Sequence, residues 1–392
     1  MGKRFQSFLK FNVYPMLAAL LIGIVVLQFL PVSIPNPLRL FGLVSARGGE
    51  GLLNRFKVAD GYQVSLFAKG LGNIRLMALT PGGDIIFSAP RSRIKIALGD
   101  VDGDGMSDGV KVLKSGLRQV HGVYLDGDWL YYAETHQVSR IKYDGSTKTF
   151  KGKEEVVLTG LPGGGGHWTR TVGKGPDGWF YVSVGSSCNV CIERHPWRAS
   201  IVRFKPGVKG TLYAGGLRNT VGFDWHPGSG ALFGVDNGRD WLGDDYPPGE
   251  LNKITDGGFY GWPFRNGNNK PDPDYGKQGG ALAARAIKPA HGFAAHVAPL
   301  SIKFLKNAAM GGVATALVAQ HGSWNRSTKI GYRVVLLHWD DVGAISQKMF
   351  LEGFEKDGNV GGRPVDIVEA GDGTIYISDD FSASIWAVKP TR

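Results

Sequence analysis

Cysteine, clustered charge and apolar runs of membrane-spanning length are all scarce in this sequence. Only two cysteines occur in 392 residues, Cys188 and Cys191, within Ser186-Ser187-Cys188-Asn189-Val190-Cys191. A c-type haem attachment needs His straight after the second cysteine, where this chain has Ile192, and a zinc site lacks its second pair. A thioredoxin-type redox pair belongs in a βαβ setting, and none is visible. In an exported chain the pair is expected to close a small structural disulfide. Lys+Arg number 45 against 34 Asp+Glu, a formal net charge of +11, yet no dense basic run exists. Without basic residues gathered on one face or helix, the footprint of a nucleic-acid partner is missing, and no such partner is expected. Excess positive charge of this scattered kind suits an exported protein, or one that receives an anionic ligand.

The apolar run from Met16 to Leu30 is short for a spanning helix and ordinary for a signal-peptide core, even when stretched to Ile34 through Gln28 and Pro31. Lys3, Arg4 and Lys10 precede it, and no acidic residue occurs before Glu50. No small-x-small cleavage site follows closely, since Val44-Ser45-Ala46 lies far downstream. Residues 1–46 are therefore expected to be an uncleaved N-terminal hydrophobic signal anchor helix and linker, with a cleaved signal as the alternative. In either case the positive flank stays inside and residues 47–392 are exported, to the periplasmic face of a bacterial inner membrane or beyond it.

What the chain does have is glycine, 59 residues of it, with aromatics at 11%. That composition favours many short strands joined by tight turns. One signature repeats: a turn with Gly or Asp leads into a short apolar, aromatic-rich strand. It occurs at Gly83 before Asp84-Ile85-Ile86-Phe87, at Gly127 before Asp128-Trp129-Leu130-Tyr131, and at Gly178 before Trp179-Phe180-Tyr181. It returns at Gly230 before Ala231-Leu232-Phe233, more loosely at Gly312 before Val313-Ala314-Thr315, and at Gly373 before Thr374-Ile375-Tyr376. Several of the intervals match the length of a four-stranded propeller blade. The long one, from Gly230 to Gly312, holds a Gly/Pro/Asn-rich insertion, Asn266 to Gly280. No long helical periodicity is apparent outside the N-terminal segment. A pair of β-sandwiches would explain the strands but not six spaced copies of one turn-strand signature. The expected fold is all-β, a six-bladed β-propeller, whose ligand site lies at a channel mouth built by loops from several blades.

Between Gly215 and Pro263 motifs crowd together. Gly216-Leu217-Arg218-Asn219 is followed by Asp236-Asn237-Gly238-Arg239, the acidic pair Asp244-Asp245, Glu250-Leu251-Asn252, and Gly257-Gly258-Phe259-Tyr260-Gly261-Trp262-Pro263. An isolated His167 stands upstream in Gly163-Gly164-Gly165-Gly166-His167-Trp168-Thr169-Arg170, just before Gly175-Pro176-Asp177-Gly178. In this order and spacing the chain resembles the glucose/sorbosone dehydrogenase family, six-bladed propellers that oxidise sugars with pyrroloquinoline quinone (PQQ) and calcium. The resemblance runs from about Phe56 to the C-terminus. Ser323-Trp324-Asn325-Arg326 after His321 looks like its sorbosone-dehydrogenase branch.

The resemblance implies that His167 is the general base, a neutral imidazole taking a hydroxyl proton while the C1 hydride leaves for the quinone. Arg218 would lie against the cofactor's carbonyl oxygens, where a permanent cation stabilises developing negative charge. Asn219, Asn237, Gly238 and Arg239 would line the cofactor, with the carbonyls of Gly238 and Arg239 holding its calcium; Arg239 replaces the family's Pro and Asn237 its Gln. Glu250 and the Tyr260 carbonyl match the family's second, structural calcium site, hard oxygen donors suited to that ion. His121 stands where relatives carry Gln. Arg363 keeps the first of two basic residues of the family's last Arg motif, Val365 filling the other place. With Arg170 and Arg326, these cations would face the three carboxylates of PQQ. Separately, Asp100-Val101-Asp102-Gly103-Asp104-Gly105-Met106-Ser107-Asp108 has carboxylates at alternate positions like a calcium loop, without the closing Glu of an EF-hand since position twelve is Lys111. Either weak calcium binding or an acidic turn explains it.

The expected activity is oxidation of an aldose or sorbosone-like aldehyde, with electrons passed to a membrane quinone or a periplasmic cytochrome. Two alternatives stay open: a calcium-dependent propeller lactonase, and a propeller without cofactor that binds a glycan or protein partner.

Overall fold

The computed structural model describes residues 50–89, 92–306 and 314–391. The expected signal anchor lies outside the described residues, and among those described no helix is long and apolar enough to cross a membrane. Among the described residues two short helices occur, Glu50–Leu53 and Gly280–Ala284, and the rest is strand and turn.

Six antiparallel sheets follow one another along the chain, each with four strands or more. Blade 1 is Met77–Leu79, Ile85–Ala89, Arg93–Ala97 and Val110–Lys114; blade 2 is Gly122–Asp126, Trp129–Ala133, Val138–Asp144 and Thr149–Leu158. Blade 3 is Val172–Lys174, Phe180–Val184, Ser200–Lys205 and Val208–Gly215. In blade 4 the strands Thr220–Trp225, Leu232–Asp236 and Pro248–Ile254 are joined to His291–Ala295 by an insertion that holds the small hairpin Arg265–Asn266/Lys270–Pro271 and the helix Gly280–Ala284. Blade 5 is Pro299–Phe304, Ala314–Gln320, Arg333–Trp339 and Ile345–Glu352, with Lys57–Val58 on its outer edge. Blade 6 is closed by both ends of the domain: Pro364–Glu369, Ile375–Asp379 and Ser384–Pro390 are joined by Tyr62–Ala68, in register from Tyr62↔Pro390 to Ala68↔Ile385. That pairing turns a row of sheets into a ring and removes an open edge.

In five blades the repeated turn-strand signature is the first hairpin, and the Gly312 copy lies outside the described residues. Gly83, Gly127, Gly178, Gly230 and Gly373 all sit there with left-handed φ between 57° and 84°, a region glycine enters without steric cost. The strand that follows is the second from the axis, and neighbouring blades cover both of its faces. Ile85–Ala89, Phe180–Val184, Leu232–Asp236 and Ala314–Gln320 are buried at every position, whereas the rim strand Thr149–Leu158 is mostly exposed. Strands buried on both faces read as continuous apolar runs, as these do. Near the axis the innermost strands pack against one another. A Cβ on Gly222 would lie 2.4 Å from Ser301 Cα in the next blade, so only glycine fits that approach.

Because the strands alternate in direction, all connections from a rim strand to the next innermost strand lie at one end of the axis. The turns between second and third strands share that end. The first hairpins and the turns between third and fourth strands lie at the other.

Candidate active site

The connections at the first end each deliver side chains toward the axis: Arg75 ahead of blade 1, His121 ahead of blade 2, His167 ahead of blade 3, Arg218 and Asn219 ahead of blade 4, His296 ahead of blade 5 and Arg363 ahead of blade 6. Five predicted residues, His167, Arg218, Asn219, Asn237 and Gly238, line one cleft of about 190 Å³ with Asp240, Gly249, His296, Ala298, Pro299 and Trp324.

His167 is carried by a polyglycine loop whose carbonyls are held by two buried arginines. Arg198 Nη2 donates to Gly163 O and Gly164 O at 2.7 and 2.5 Å, and Arg170 donates to the carbonyls of Pro162, His167 and Thr169 at 2.6, 3.2 and 2.7 Å. The imidazole Nδ1 lies 3.0 Å from Ser186 O and 2.8 Å from Ser186 Oγ. A carbonyl can only accept, so Nδ1 carries the hydrogen and Nε2 keeps its lone pair. Burial first, and then the Arg218 guanidinium, push the imidazole down to about 3, with Arg198 and Arg170 adding to the effect and the Ser186 carbonyl opposing it. His167 is thus a neutral base at any ordinary pH. Gly185 makes room for it: a Cβ there would fall 2.6 Å from both His167 Cβ and Asn219 Oδ1.

Arg218 is buried across the cleft. Nε donates to Asn189 O (2.9 Å), Nη1 to Asn237 O (3.1 Å), and Nη2 to Asn189 Oδ1 (2.9 Å) and Asp240 Oδ2 (3.2 Å). Those bonds use four of a guanidinium's five N–H groups and leave one on Nη1. Asn219 Oδ1 is buried with no hydrogen-bond partner, a vacancy that a bound polar group would fill.

The other predicted cofactor residues are placed differently. Arg170 is fully buried and bonds only loop carbonyls, its guanidinium pushed down to about 9 by burial and then by Arg198. It supports the base rather than facing a ligand. Arg239, expected at a cofactor carboxylate, turns into the blade 4 insertion, where Nη1 meets both oxygens of Asp272 (2.9 and 2.8 Å) and Nη2 meets Asp274 (2.9 Å). A two-pronged buried carboxylate holds a guanidinium more firmly than solvent does. Asn237 uses both amide hydrogens on Asn219 O (3.2 Å) and Pro299 O (3.1 Å). Arg326 bonds Asp244 O and Asp245 (2.9 Å) on the rim.

His121 and Arg363 belong to a second group of charges round the axis. Arg75 and His321 both reach Asp380, at 2.7 and 2.9 Å, and Arg75 Nη2 lies 3.5 Å from His121 Nε2. Arg363 donates to the carbonyls of His321 (3.0 Å) and Gly322 (2.8 Å). Burial, then Arg75, hold His121 neutral. Asp380 and Arg75 carried no motif that sequence could mark, because their partners are 59 and 305 residues away.

Next to the cleft, Glu250 and Asp236 face each other in register on adjacent strands of blade 4. With Tyr260, Gly216, Gly238 and Arg239 they line a cavity of about 20 Å³, about the room a single water or bare ion needs. Burial, and then Asp236, push Glu250 up to about 8; burial pushes Asp236 up to about 6. The buried Asp236 and the half-buried Glu250 share this small cavity with Arg218, Arg239 and Arg265, and burial still pushes both carboxyls up although the Arg218 charge favours ionised Asp236. This donor set fits calcium. Asp236 entered the sequence reading only as the opening residue of its loop; its pairing with Glu250 follows from the strand register.

The Asp100–Asp108 turn joins the third and fourth strands of blade 1, at the far end of the axis from His167. Carboxylate oxygens of Asp100, Asp102 and Asp108 lie within 4.8 Å of one another. Asp104 is outside that group and accepts the Met106 N–H at 2.7 Å. Cys188 and Cys191 form a disulfide, as expected, in the second-to-third turn of blade 3.

A family model described as TrAA12-like matches residues 56–247 and 277–391. The unmatched stretch 248–276 includes Glu250 and the insertion residues that hold Arg239. An uncharacterized protein of Borreliella burgdorferi is 38% identical over 214 residues, covering 53% of this chain and 56% of that protein. A PQQ-dependent pyranose dehydrogenase of Coprinopsis cinerea is 25% identical over 420 residues, covering 88% of this chain and 56% of that protein. The chain thus spans about half the length of the curated relatives it matches. Among solved structures, an iodide structure of Trichoderma reesei carbohydrate-active enzymes family AA12 superposes with a TM-score of 0.76 at 23% identity, covering 86% of this chain and 98% of that one. The holo PQQ domain of the Coprinopsis cinerea pyranose dehydrogenase gives 0.72 at 23% identity, covering 85% and 97%. The PQQ-bound aldose sugar dehydrogenase of Streptomyces coelicolor gives 0.59 at 19%, covering 85% and 99%. These superpositions establish the six-bladed propeller fold.

Proposed function

The chain belongs to the TrAA12-like family, and from that premise we propose that it is a PQQ-dependent sugar oxidoreductase acting at C1 of an aldose or a sorbosone-like aldehyde. The observation that carries the reading is the cleft itself: a neutral imidazole with a free Nε2 stands across from a buried guanidinium with one uncommitted N–H, beside the orphaned oxygen of Asn219. Arg218, Asn219 and the Gly238 backbone would hold the cofactor, and Asp236, Glu250 and the Tyr260 carbonyl would hold a structural calcium. When bound, PQQ would supply a two-electron acceptor for the C1 hydride, and a separate cofactor calcium, on the carbonyls of Gly238 and Arg239, would supply Lewis acidity.

The chain's own residues do the rest. His167 Nε2 takes the proton of the C1 hydroxyl, that of the cyclic aldose or of the hydrated aldehyde, as the hydride departs, and it is available because Ser186 holds the other nitrogen protonated. Arg218 presents fixed positive charge where negative charge develops, in a site that burial has already desolvated, so little reorganisation is needed at the moment of reaction. His167 becomes cationic next to Arg218, an arrangement that favours rapid loss of the proton to solvent. We assign the electron acceptor to a membrane quinone or a periplasmic cytochrome. Residues 1–46 would hold the protein at the periplasmic face of the inner membrane.

An absorbance titration with PQQ in calcium tests the reading, followed by dye reduction with a panel of aldoses and sorbosone. Saturable binding and PQQ-dependent turnover are expected. Calcium-dependent lactone hydrolysis without PQQ would instead move the chain to the lactonase class.

A further inference from the structure

Arg218 owes its orientation to a loop that the proposed chemistry does not otherwise use. Asn189 accepts from Arg218 twice, through its main-chain oxygen to Nε (2.9 Å) and through Oδ1 to Nη2 (2.9 Å). The same Oδ1 accepts the backbone N–H of Asp240 at 2.8 Å, and Asn189 Nδ2 donates to Asp240 O at 3.1 Å. Asn189 therefore ties the cation to the blade 4 turn that supplies its other acceptors, Asn237 O and Asp240 Oδ2. The Asp240 carboxylate alone makes one bond to Arg218, at 3.2 Å, which does not fix the plane of a guanidinium.

Asn189 is the second residue of the Cys188–Cys191 disulfide loop. A covalent bridge across so short a segment removes most of the freedom that a loop residue would otherwise lose on gripping a partner. The loop also reaches the base. Ser186 Oγ donates to Cys188 O (2.7 Å), so its one hydrogen is committed and its lone pairs face the Nδ1–H of His167 (2.8 Å). Glu193 closes the loop from below, accepting from Ser187 N and from Ser187 Oγ (2.9 Å).

We propose that the Cys188–Cys191 loop is a clamp that positions Arg218, with Asn189 as the positioning residue and the disulfide as the element that holds Asn189 in place. The clamp aims the one free Nη1 hydrogen into the cleft and keeps the buried cation from collapsing onto Asp240 or Asp236. Affinity for an anionic quinone then depends on a residue outside the set that lines the cleft. The inference rests on the proposed role of Arg218 in binding PQQ.

Two measurements test it on the full chain. The first is the PQQ dissociation constant in calcium for wild type, Asn189→Ala, Arg218→Ala and the double variant. Loss of one bond to a charged group is expected to weaken PQQ about tenfold in Asn189→Ala, and to change it less than twofold once Arg218 is already Ala, the non-additivity of residues acting as a unit. Additive losses would overturn the clamp. The second uses arginine-labelled protein without PQQ, reading exchange of the Arg218 Nε hydrogen with water by nitrogen-15 NMR. Cys188→Ser with Cys191→Ser is expected to accelerate that exchange roughly tenfold as the Asn189 carbonyl becomes mobile. Unchanged exchange would overturn the clamp. Should the wild-type chain bind no PQQ, the cofactor reading falls, while the exchange rate still decides whether the loop holds Arg218. Should the cysteine-free variant fail to fold, the Asn189→Ala cycle decides it.

Discussion

Two acidic regions of this propeller, one at each end of its axis, use carboxylates in opposite ways. The turn at Asp100–Asp108 packs four aspartates into nine residues and is largely exposed. Its carboxylates are already used by its own backbone: Asp100 accepts from Gly103 and Gly105 (2.8 and 2.9 Å), Asp102 from Asp104 (3.2 Å), Asp104 from Met106 (2.7 Å) and Asp108 from Val101 (3.1 Å). In the other region just two carboxylates matter, Asp236 and Glu250, fourteen positions apart in sequence but opposite one another in blade 4. Asp236 is buried and Glu250 half-buried, they repel, and both are pushed up in pKa. A dense acidic motif in water satisfies itself with local N–H groups and stays ionised at little cost. The sparse pair also accepts hydrogen bonds, from Asn219 and Thr220 and from Asn252 and Gly267, yet desolvation makes its second negative charge costly and a proton or a cation favourable. Local motif density is a poor guide to where charge is unresolved.

The largest effect should come from the end that holds the cleft. His167→Ala is expected to lower kcat by about 10³-fold through loss of the base, with the PQQ dissociation constant moving less than threefold; stopped-flow reduction and a binding titration measure the two. Ser186→Ala removes one of the two acceptors at Nδ1, the hydroxyl, and keeps the Ser186 carbonyl that fixes the tautomer, so kcat/KM should fall only about threefold while circular dichroism stays unchanged. For wild type the acid limb of kcat/KM assigned to His167 should be displaced from near its ordinary 6.5 to below about 4, because burial and Arg218 disfavour the imidazolium. An acid limb at 6.5 that disappears in Ser186→Ala would break the assignment.

Calcium removal should act through the pair in blade 4, and with a definite sign. In the chain without metal, Glu250 has a folded pKa raised to about 8 from 4.5. The stability tied to its proton is fully present below about 4.5 and is lost as pH rises through about 8. Calcium replaces that proton, so chelation should cost little at pH 5 and roughly 5 °C in Tm at pH 8.5. Proton release should accompany calcium binding near pH 7. Glu250→Gln should abolish both the pH slope and most of the calcium increment, read by differential scanning calorimetry. The smallest effect is expected at the far end. Asp102→Asn should leave kcat/KM within twofold and Tm within about 1 °C, as is usual for an exposed substitution. A calcium increment lost in Asp102→Asn and kept in Glu250→Gln would reverse the comparison.

The fold was legible because its signature is local. A left-handed glycine followed by an apolar strand is readable wherever it recurs, and even the loose copy at Gly312 precedes a true second strand, Ala314–Gln320. His167, Arg218 and Asn219 were legible through motif resemblance, and the structure places them on one cleft. The partners of the arginines were not. Arg170 finds its acceptors within eight residues, in the loop it supports, while Arg239 finds Asp272 thirty-three residues on, inside an insertion with no readable chemistry of its own. Asp380 carries no motif at all, and Ser186 and Asn189 were quoted only as neighbours of the Cys188–Cys191 pair.

By itself, then, the sequence determined the blade count and the first hairpins of five blades, since these depend on backbone conformation and on residues near one another in the chain, and motif resemblance marked His167 and Arg218 as candidates. Tertiary structure alone decided which cations reach the cleft, which acids burial pushes up and which nitrogen of His167 is free. Those properties depend on acceptors brought in from other blades, and on the burial that makes each unmet charge costly.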